Sequence, residues 1–435
     1  MAFNEEQFKE IKAEFTIGGE RLHEIAASFR QDLQLGLRDV ELSSMRMLKS
    51  YVGLPSGKET GDYLALDFGG TNIRVFRIRL DGEGKYEILK RVGRPLIVPG
   101  EYNYICKDAT AEQMFDFIAE LIDEAIDGER GKKFYLGHTF SFPSTQDNIY
   151  NARLIIWTKE FATQGVEGEV ANDLLVEALK RRGADNVEPV AVLNDTVAVL
   201  LSAAYKTPNI FIGSIYATGH NTCYLEPSIH DPNCFGEGGM ILNLECGNFM
   251  KLVPNRFDKE YDEGSEKPGE QRFEKMVSGR YMGELLGMAI AELLGEKGKK
   301  YDLTSIDMSM MILDDSPNLQ RASDIIMAKV GRELDLDDVK KVRELASAII
   351  IRSARLVAAS FVAIVWQRAG KGAIQKQHVA VDGSVYEKMP LAKENITKAL
   401  SELLGEDAAQ VDTILDNGGS GLGAAIAAAM VKCNA

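Results

Sequence analysis

Cysteine is scarce in this chain. There are five in 435 residues, Cys106, Cys223, Cys234, Cys246 and Cys433, scattered and odd in number, with no CxxC pair. This excludes a disulfide framework and a zinc knuckle, and it points to a reducing, cytoplasmic compartment. Long apolar runs are missing too. The most apolar stretch, Leu356 to Trp366, is about half of what a bilayer span requires. Arg352 and Arg355 precede it, so it reads as a buried core helix. The opening MAFNEEQFKE is acidic and polar, unlike a secretory signal. Without an export signal, the sequons at Asn194-Asp195-Thr196 and Asn395-Ile396-Thr397 are discounted. A basic excess is also absent: 50 Lys and Arg face 65 Asp and Glu, a net charge of -15. Nucleic acid and anionic membranes are therefore poor partners. A small phosphate compound is not excluded, since a few local cations and backbone N–H groups can hold one. No internal repeat is visible.

What is present suits a soluble protein of two or three domains with a large core. Residues 4–50 read as helical, with breaks at Gly18-Gly19 and near Gly36, and PSGKETG (55–61) as a polar linker. Tyr63 to Leu80 (YLALDFGGTNIRVFRIRL) reads as a β-hairpin around a Gly-Gly turn. Helices are expected at 111–126, 168–182, 271–294 and 336–368, with Asp337 and Asp338 well placed at the start of the last. Strands are expected at 133–142, 190–193, 210–217 and 378–381, and a Gly-rich turn at 416–423 should feed an Ala-rich helix to the end. Strands alternating with helices make the class α/β.

Four motifs carry chemistry. In Asp67-Phe68-Gly69-Gly70-Thr71-Asn72 the glycines join strand to strand, not strand to helix as in a Rossmann or P-loop turn. Such a turn lets backbone N–H groups approach a polyphosphate, with Asp67 available to a magnesium ion and Thr71, Asn72 and Arg74 to phosphate oxygens. A plain hairpin needs only the glycines. Leu193-Asn194-Asp195-Thr196 sets an amide and a carboxylate at a strand's C-terminal edge, where open α/β sheets place ligands. A carboxylate beside a bound hydroxyl can accept its proton, although Asn-Asp alone is simply a turn. Thr218-Gly219 follows a strand and could touch a second phosphate. DNGGSGLG (416–423) could lie against a nucleotide or merely start a helix. Glu245 and Glu274 could each grip vicinal hydroxyls, or sit in surface salt bridges.

The order of these segments resembles the hexokinase family over about residues 45 to 430. LALDFGGTNIRV resembles that family's first phosphate segment, LGHTFSFPSTQ and WTKEFATQGVEGE its sugar segments, and LNDTVAVLL the segment with its catalytic Asp. IYATGHNTCYLE is similar to the second phosphate segment, DEGSEKPGEQRFEKMVSGRYMGELL to a further sugar segment, and VAVDGSVYEKMP and GGSGLGAAIAAA to the adenosine side. The resemblance implies a two-lobed actin-like ATPase fold with ribonuclease-H-like cores around a central cleft. Residues 62–194 plus 424–435 would form the small lobe, and 1–61 plus 195–423 the large one. It implies phosphorylation of a hexose, D-glucose first, at the 6-hydroxyl by ATP and Mg2+.

By the same resemblance, Asp195 is the general base. Ser141, Thr158, Lys159, Asn194, Asn221, Glu245, Gln271 and Glu274 hold the sugar, with Lys159 also on the moving phosphoryl group. Asp67, Gly69, Gly70, Thr71, Asn72, Arg74 and Thr218 bind phosphate, and Asp67 acts on magnesium through water. Gly383, Ser384, Gly419 and Ser420 line the adenosine pocket. A monomer or homodimer, binding neither nucleic acid nor membrane, is implied. The sequence departs from the family pattern at His138 (usually Phe), Cys246 (Trp), Ala217 (Gly), His220 (a small residue), Gly418 (often Asp) and Leu422 (often Lys). Ala217 and His220 bear on the phosphoryl donor. The rival readings are a non-catalytic sugar sensor on the same scaffold and an actin- or Hsp70-like ATPase.

Overall fold

The computed structural model describes residues 3–68, 70, 72–158 and 160–433. The chain divides into two compact units. The first gathers Met1–Met47, Ile215–Thr222 and Leu244–Leu415; the second gathers Leu48–Ser214, Cys223–Asn243 and Asp416–Ala435.

The second unit is built on a five-stranded sheet. Its order is Val187–Leu193, Phe134–Phe140, Thr60–Phe68, Asn72–Gly82, Lys85–Pro95. The first three strands run parallel, and the last two continue antiparallel as hairpins. The Thr60–Phe68 strand carries the apolar run Tyr63-Leu64-Ala65-Leu66 because it lies mid-sheet, covered on both faces. The Lys85–Pro95 strand is mostly exposed, as an edge strand should be. The Ala111–Ala125 helix opens on a capping box between Thr110 and Gln113, and it buries Met114, Phe115, Ile118 and Ile122. With the Ala171–Arg181 helix it closes the core over the sheet.

The C-terminal segment differs from the expected Gly-rich turn. Helix already begins at Gly419 and runs to Cys433, so Gly421 and Gly423 are helical. They serve close packing. A Cβ on Gly423 would lie 1.9 Å from the Ala198 carbonyl oxygen, and one on Gly421 would lie 2.9 Å from the Phe76 ring. The same helix meets Gly137 of the sheet, where a Cβ would strike the Ala424 carbonyl oxygen.

The first unit is mainly helical. Its spine is the 34-residue Leu336–Ala369 helix, capped by Asp335 and buried along most of its length. The most apolar window of that helix is 83% buried. Arg352, 2% exposed, forms a bidentate pair with Asp258 at 2.8 and 2.9 Å. Both charges are withdrawn from water, so removing either partner would leave the other uncompensated. The Gly19–Arg38 helix does not break at Gly36; a Cβ there would strike Met47 Sδ and Ser43, so that glycine answers to packing. The expected 271–294 helix is two, Arg272–Val277 and Gly279–Leu293, parted at the extended Ser278. The physical reason is a change of acceptor: the Gly279 and Arg280 N–H groups donate to the carbonyls of Ala217 and Thr218, at 2.9 and 3.1 Å, not to the preceding turn. Parallel strands Gln377–Asp382 and Val411–Leu415 complete this unit.

Candidate active-site residues

Three parallel strands of the second unit end at one sheet edge. Asp67 and Leu193 both pair in register with Thr139, so the strand ends carrying Asp67, Ser141 and Asn194-Asp195 lie side by side. Asp67 is held firmly. Arg74, its antiparallel partner, donates Nη1 to Oδ2 at 3.2 Å, and Thr139 Oγ1 donates to Oδ1 at 3.1 Å. Thr139 Oγ1 in turn accepts the Phe68 N–H at 3.3 Å.

Asn194 is the N-cap of the Asp195–Lys206 helix; its Oδ1 accepts the Thr196 N–H at 2.9 Å and the Thr196 hydroxyl at 2.6 Å. Asp195 is therefore the first helical residue, half-buried, with Oδ1 taking the Thr196 N–H at 2.9 Å. Its own N–H donates to Ser141 Oγ at 3.2 Å, which ties the sugar-segment serine to the proposed base. Phe140 and Phe142 flank that serine and pack into a ring cluster with Phe68, Trp157 and Phe161, at centroid distances of 4.7 to 6.2 Å. The half-buried Thr158 directly follows Trp157, whose Nε1 donates to the Thr163 carbonyl at 2.9 Å. The aromatic cluster thus fixes both Ser141 and Thr158 to the core.

In the first unit the amide and carboxylates of the sugar segments converge. Asn221 Nδ2 donates to Glu245 Oε1 at 3.3 Å, while its Oδ1 accepts the N–H of Thr222 at 2.8 Å and of Cys246 at 3.3 Å. Glu245 holds a left-handed backbone (φ 49), a strained state for a non-glycine residue that turns the chain into the short Cys246–Asn248 helix. Glu274 lies against Gly247 and Gly219: Cβ atoms there would be 3.1 and 3.5 Å from its carboxylate oxygens. Gln271 is exposed and also left-handed (φ 51), at the start of the Glu274 helix.

Thr218 stands exposed at the tip of the hairpin formed by Ile210–Tyr216 and His220–Glu226. Its turn is closed by the Ala217 N–H donating to the Gly219 carbonyl at 2.9 Å, and it is gripped from outside by the Gly279 and Arg280 N–H groups. Gly383 (φ 128) packs on the same spot, where a Cβ would lie 2.4 Å from the Tyr216 carbonyl oxygen. An open cavity of about 530 Å³ lies here, lined by Thr218, Ser384, Arg280, Lys300 and the Thr304-Ser305 start of a helix.

Most of the expected residues therefore fall into three clusters: Asp67, Arg74, Ser141, Asn194 and Asp195 at the sheet edge; Asn221, Glu245 and Glu274 by the sugar turn; and Thr218, Gly383 and Ser384 by the cavity. Gly70 lies between the Thr60–Phe68 and Asn72–Gly82 strands, and Asn72 opens the second of them. Gly69, Thr71 and Lys159 lie outside the described residues. Gly419 and Ser420 are in the first turn of the C-terminal helix of the second unit. Sequence reading missed Thr139, Arg280, Lys300, Thr304 and Ser305. Thr139 and Arg280 sit inside quoted motifs, but the other three come from a stretch with no motif signal. Among the described residues no group of three or more His, Cys, Asp or Glu could hold a metal ion.

Two family models described as hexokinase match residues 7–205 and 211–430. Hexokinase-1 of Schizosaccharomyces pombe is 34% identical over 98% of this chain and 91% of its own length. Hexokinase-7 of Oryza sativa subsp. japonica is 34% identical over 96% of this chain and 95% of its own. Hexokinase-2 of Rattus norvegicus is 36% identical over 95% of this chain, which spans 47% of that protein. Among solved structures, one described as a crystal structure of hexokinase is 32% identical with a TM-score of 0.87, covering 98% of this chain and 99% of that one. The hexokinase of Schistosoma mansoni complexed with glucose is 31% identical with a TM-score of 0.80, with the same coverage.

Proposed function

From the premise that the chain belongs to the hexokinase family, has the actin-like ATPase fold of its sugar kinases and phosphorylates a hexose, we propose that ATP is the donor, D-glucose the preferred acceptor, and Asp195 the base that takes the 6-hydroxyl proton. The observation that carries this reading is the sheet edge: Asp195, tied to Ser141, shares it with the Asp67–Arg74 pair in neighbouring strands. A proton acceptor and a phosphate-side carboxylate thus lie at the same end of one sheet, at the ends of the two strands that flank Phe134–Phe140.

The residues then divide the work. Asp195 orients the attacking hydroxyl and removes its proton. Ser141, Thr158, Asn194, Asn221, Glu245 and Glu274, with Gln271 nearby, hold the ring hydroxyls; two carboxylates suit vicinal diols because each accepts two hydrogen bonds. Thr218, Gly70, Asn72 and Arg74, together with Gly69 and Thr71, bind donor phosphates. Gly383, Ser384, Gly419 and Ser420 line the adenosine side. To the expected set the cavity adds Arg280 and Lys300, cations at the donor's end.

Phosphoryl transfer has a loose transition state, so positioning and charge neutralisation supply most of the rate. Lys159 is assigned to the moving group for that reason. Asp67 fits a nucleotide-borne magnesium ion: it offers hard oxygen donors, and such an ion needs only one or two carboxylates beside phosphates and water. Bound there through water, magnesium would neutralise charge on the transferring group. Sugar-dependent assembly of the site keeps water from acting as the nucleophile. The five scattered cysteines, with no CxxC pair, suit a reducing cytoplasm, where we place the enzyme.

A coupled assay over glucose, mannose, fructose and glucosamine, with ATP and with pyrophosphate, tests the reading. ATP-dependent turnover greatest with glucose supports it. Sugar binding without turnover supports the sensor, and sugar-independent ATP hydrolysis supports the ATPase; either outcome sinks it.

A further inference from the structure

We infer that His220 is a positioning residue for the phosphoryl-donor turn, holding Thr218 in place through a hydrogen bond from its imidazole to the Ile215 carbonyl. The inference rests on the reading of Thr218 as a donor contact and deepens it.

The donor turn is short and its key side chain is exposed, so something must fix its backbone. One side is fixed by the N–H groups of Gly279 and Arg280. The other is the hairpin itself, where His220 opens the returning strand. Its Nδ1 lies 3.0 Å from the Ile215 carbonyl oxygen, reaching back to the outgoing strand below Ala217, Thr218 and Gly219. The bond therefore spans the base of the tip and limits how far its two arms can separate.

The ring is built in firmly. It is 2% exposed, with its plane at a steep angle to Tyr216 (5.8 Å, 80°) and to Phe273 (5.5 Å, 63°). Tyr216 is itself pinned, its hydroxyl 2.5 Å from Ser353 Oγ, which donates to the Val277 carbonyl at 2.6 Å. Phe273 precedes Glu274, whose carboxylate reaches Gly219. The imidazole thus sits between the donor turn and the helix bearing a sugar carboxylate.

A carbonyl partner requires the proton on Nδ1, which leaves Nε2 as a bare acceptor. Nε2 is buried and has no hydrogen-bond partner among the described residues. An unsatisfied buried acceptor is costly, and an apolar side chain of similar size would fill the space without it. What the imidazole adds is the Nδ1 bond. Burial also pushes the pKa of His220 down to about 4, so the neutral, singly donating form persists through the neutral range.

The test uses the full chain and three variants. His220→Leu keeps the bulk and loses the donor. His220→Asn keeps a donor, Nδ2, near the position of Nδ1. Thr218→Ala removes the proposed phosphate contact. MgATP affinity is read by calorimetry, and steady-state KM and kcat are read for MgATP and glucose. His220→Leu should raise both KM and Kd for MgATP about tenfold, while kcat and the glucose KM stay within about twofold. His220→Asn should recover most of the donor affinity.

Unchanged donor affinity in His220→Leu overturns the inference, provided Thr218→Ala does weaken MgATP. So does His220→Asn behaving like His220→Leu, or a parallel rise of both KM values with a lowered Tm, which would mark a general packing role. If Thr218→Ala leaves MgATP affinity untouched, the donor reading itself falls, and this inference with it.

Discussion

Gly279→Ala is the sharpest probe of the donor site, because the structure fixes what a single methyl group would meet. Its Cβ would lie 2.9 Å from the Ala217 carbonyl oxygen and 2.9 Å from Val385 Cγ2. The oxygen is backbone, held by the Gly279 N–H itself at 2.9 Å, so it cannot rotate away. Restoring ordinary contact requires a shift of about half an ångström, against interiors that compress poorly. Overpacking of this kind costs about 1–3 kcal/mol. The displaced atoms belong to the turn bearing Thr218 and to the segment after Ser384, both on the donor cavity. A 1 Å misplacement can cost about a hundredfold in rate, so half of it should cost about tenfold. The loss should appear in the KM for MgATP at saturating glucose, with the glucose Kd by calorimetry unchanged. A folded variant with wild-type MgATP kinetics would refute the argument that this close approach positions the donor turn.

Two further predictions concern the other elements. Phe142→Ala removes a 5%-exposed ring at 4.7 Å from Trp157 and 5.0 Å from Phe140 and Phe161. It should cost about 3–5 kcal/mol in denaturant unfolding and raise the sugar KM more than the ATP KM, because Ser141 loses its anchor; a sugar KM that does not move would contradict this. Burial pushes the pKa of both His138 and His220 down to about 4. Below the ordinary value of 6.5 the unfolded chain takes up protons that the folded chain refuses, so stability is lost as pH falls from 6.5 towards 4, by about 1.4 kcal/mol per unit for each histidine. His138→Phe should roughly halve that slope in pH-dependent unfolding; an unaltered slope would show that His138 does not titrate with folding.

The sequence made the central strands and the site order legible because both depend on local signals. The Thr60–Phe68 strand carries the apolar run Tyr63–Leu66 and ends at Phe68, and the strand after it begins at Asn72. The Lys85–Pro95 strand went unseen because its edge position leaves Lys, Glu and Arg where apolar residues would have marked it. Ser278 breaks a helix that periodicity runs straight through, since its cause is a carbonyl far away in sequence, at Ala217. Gly36, Gly421 and Gly423 looked like breaks or turns, yet each lies in a helix at a close approach invisible to local rules. The cations were missed for a similar reason: Lys300 stands in a polar stretch that carries no signal, and Arg280, although inside a quoted motif, gains a role only once the cavity beside it is seen.

Asp195 carries the most chemical weight, and its replacement by Ala is the most direct test. The variant should keep the wild-type far-ultraviolet circular dichroism, Tm and glucose affinity, while kcat for ATP-dependent glucose phosphorylation drops by about a hundredfold or more. A purified, folded Asp195→Ala protein that phosphorylates glucose at close to the normal rate would contradict the account.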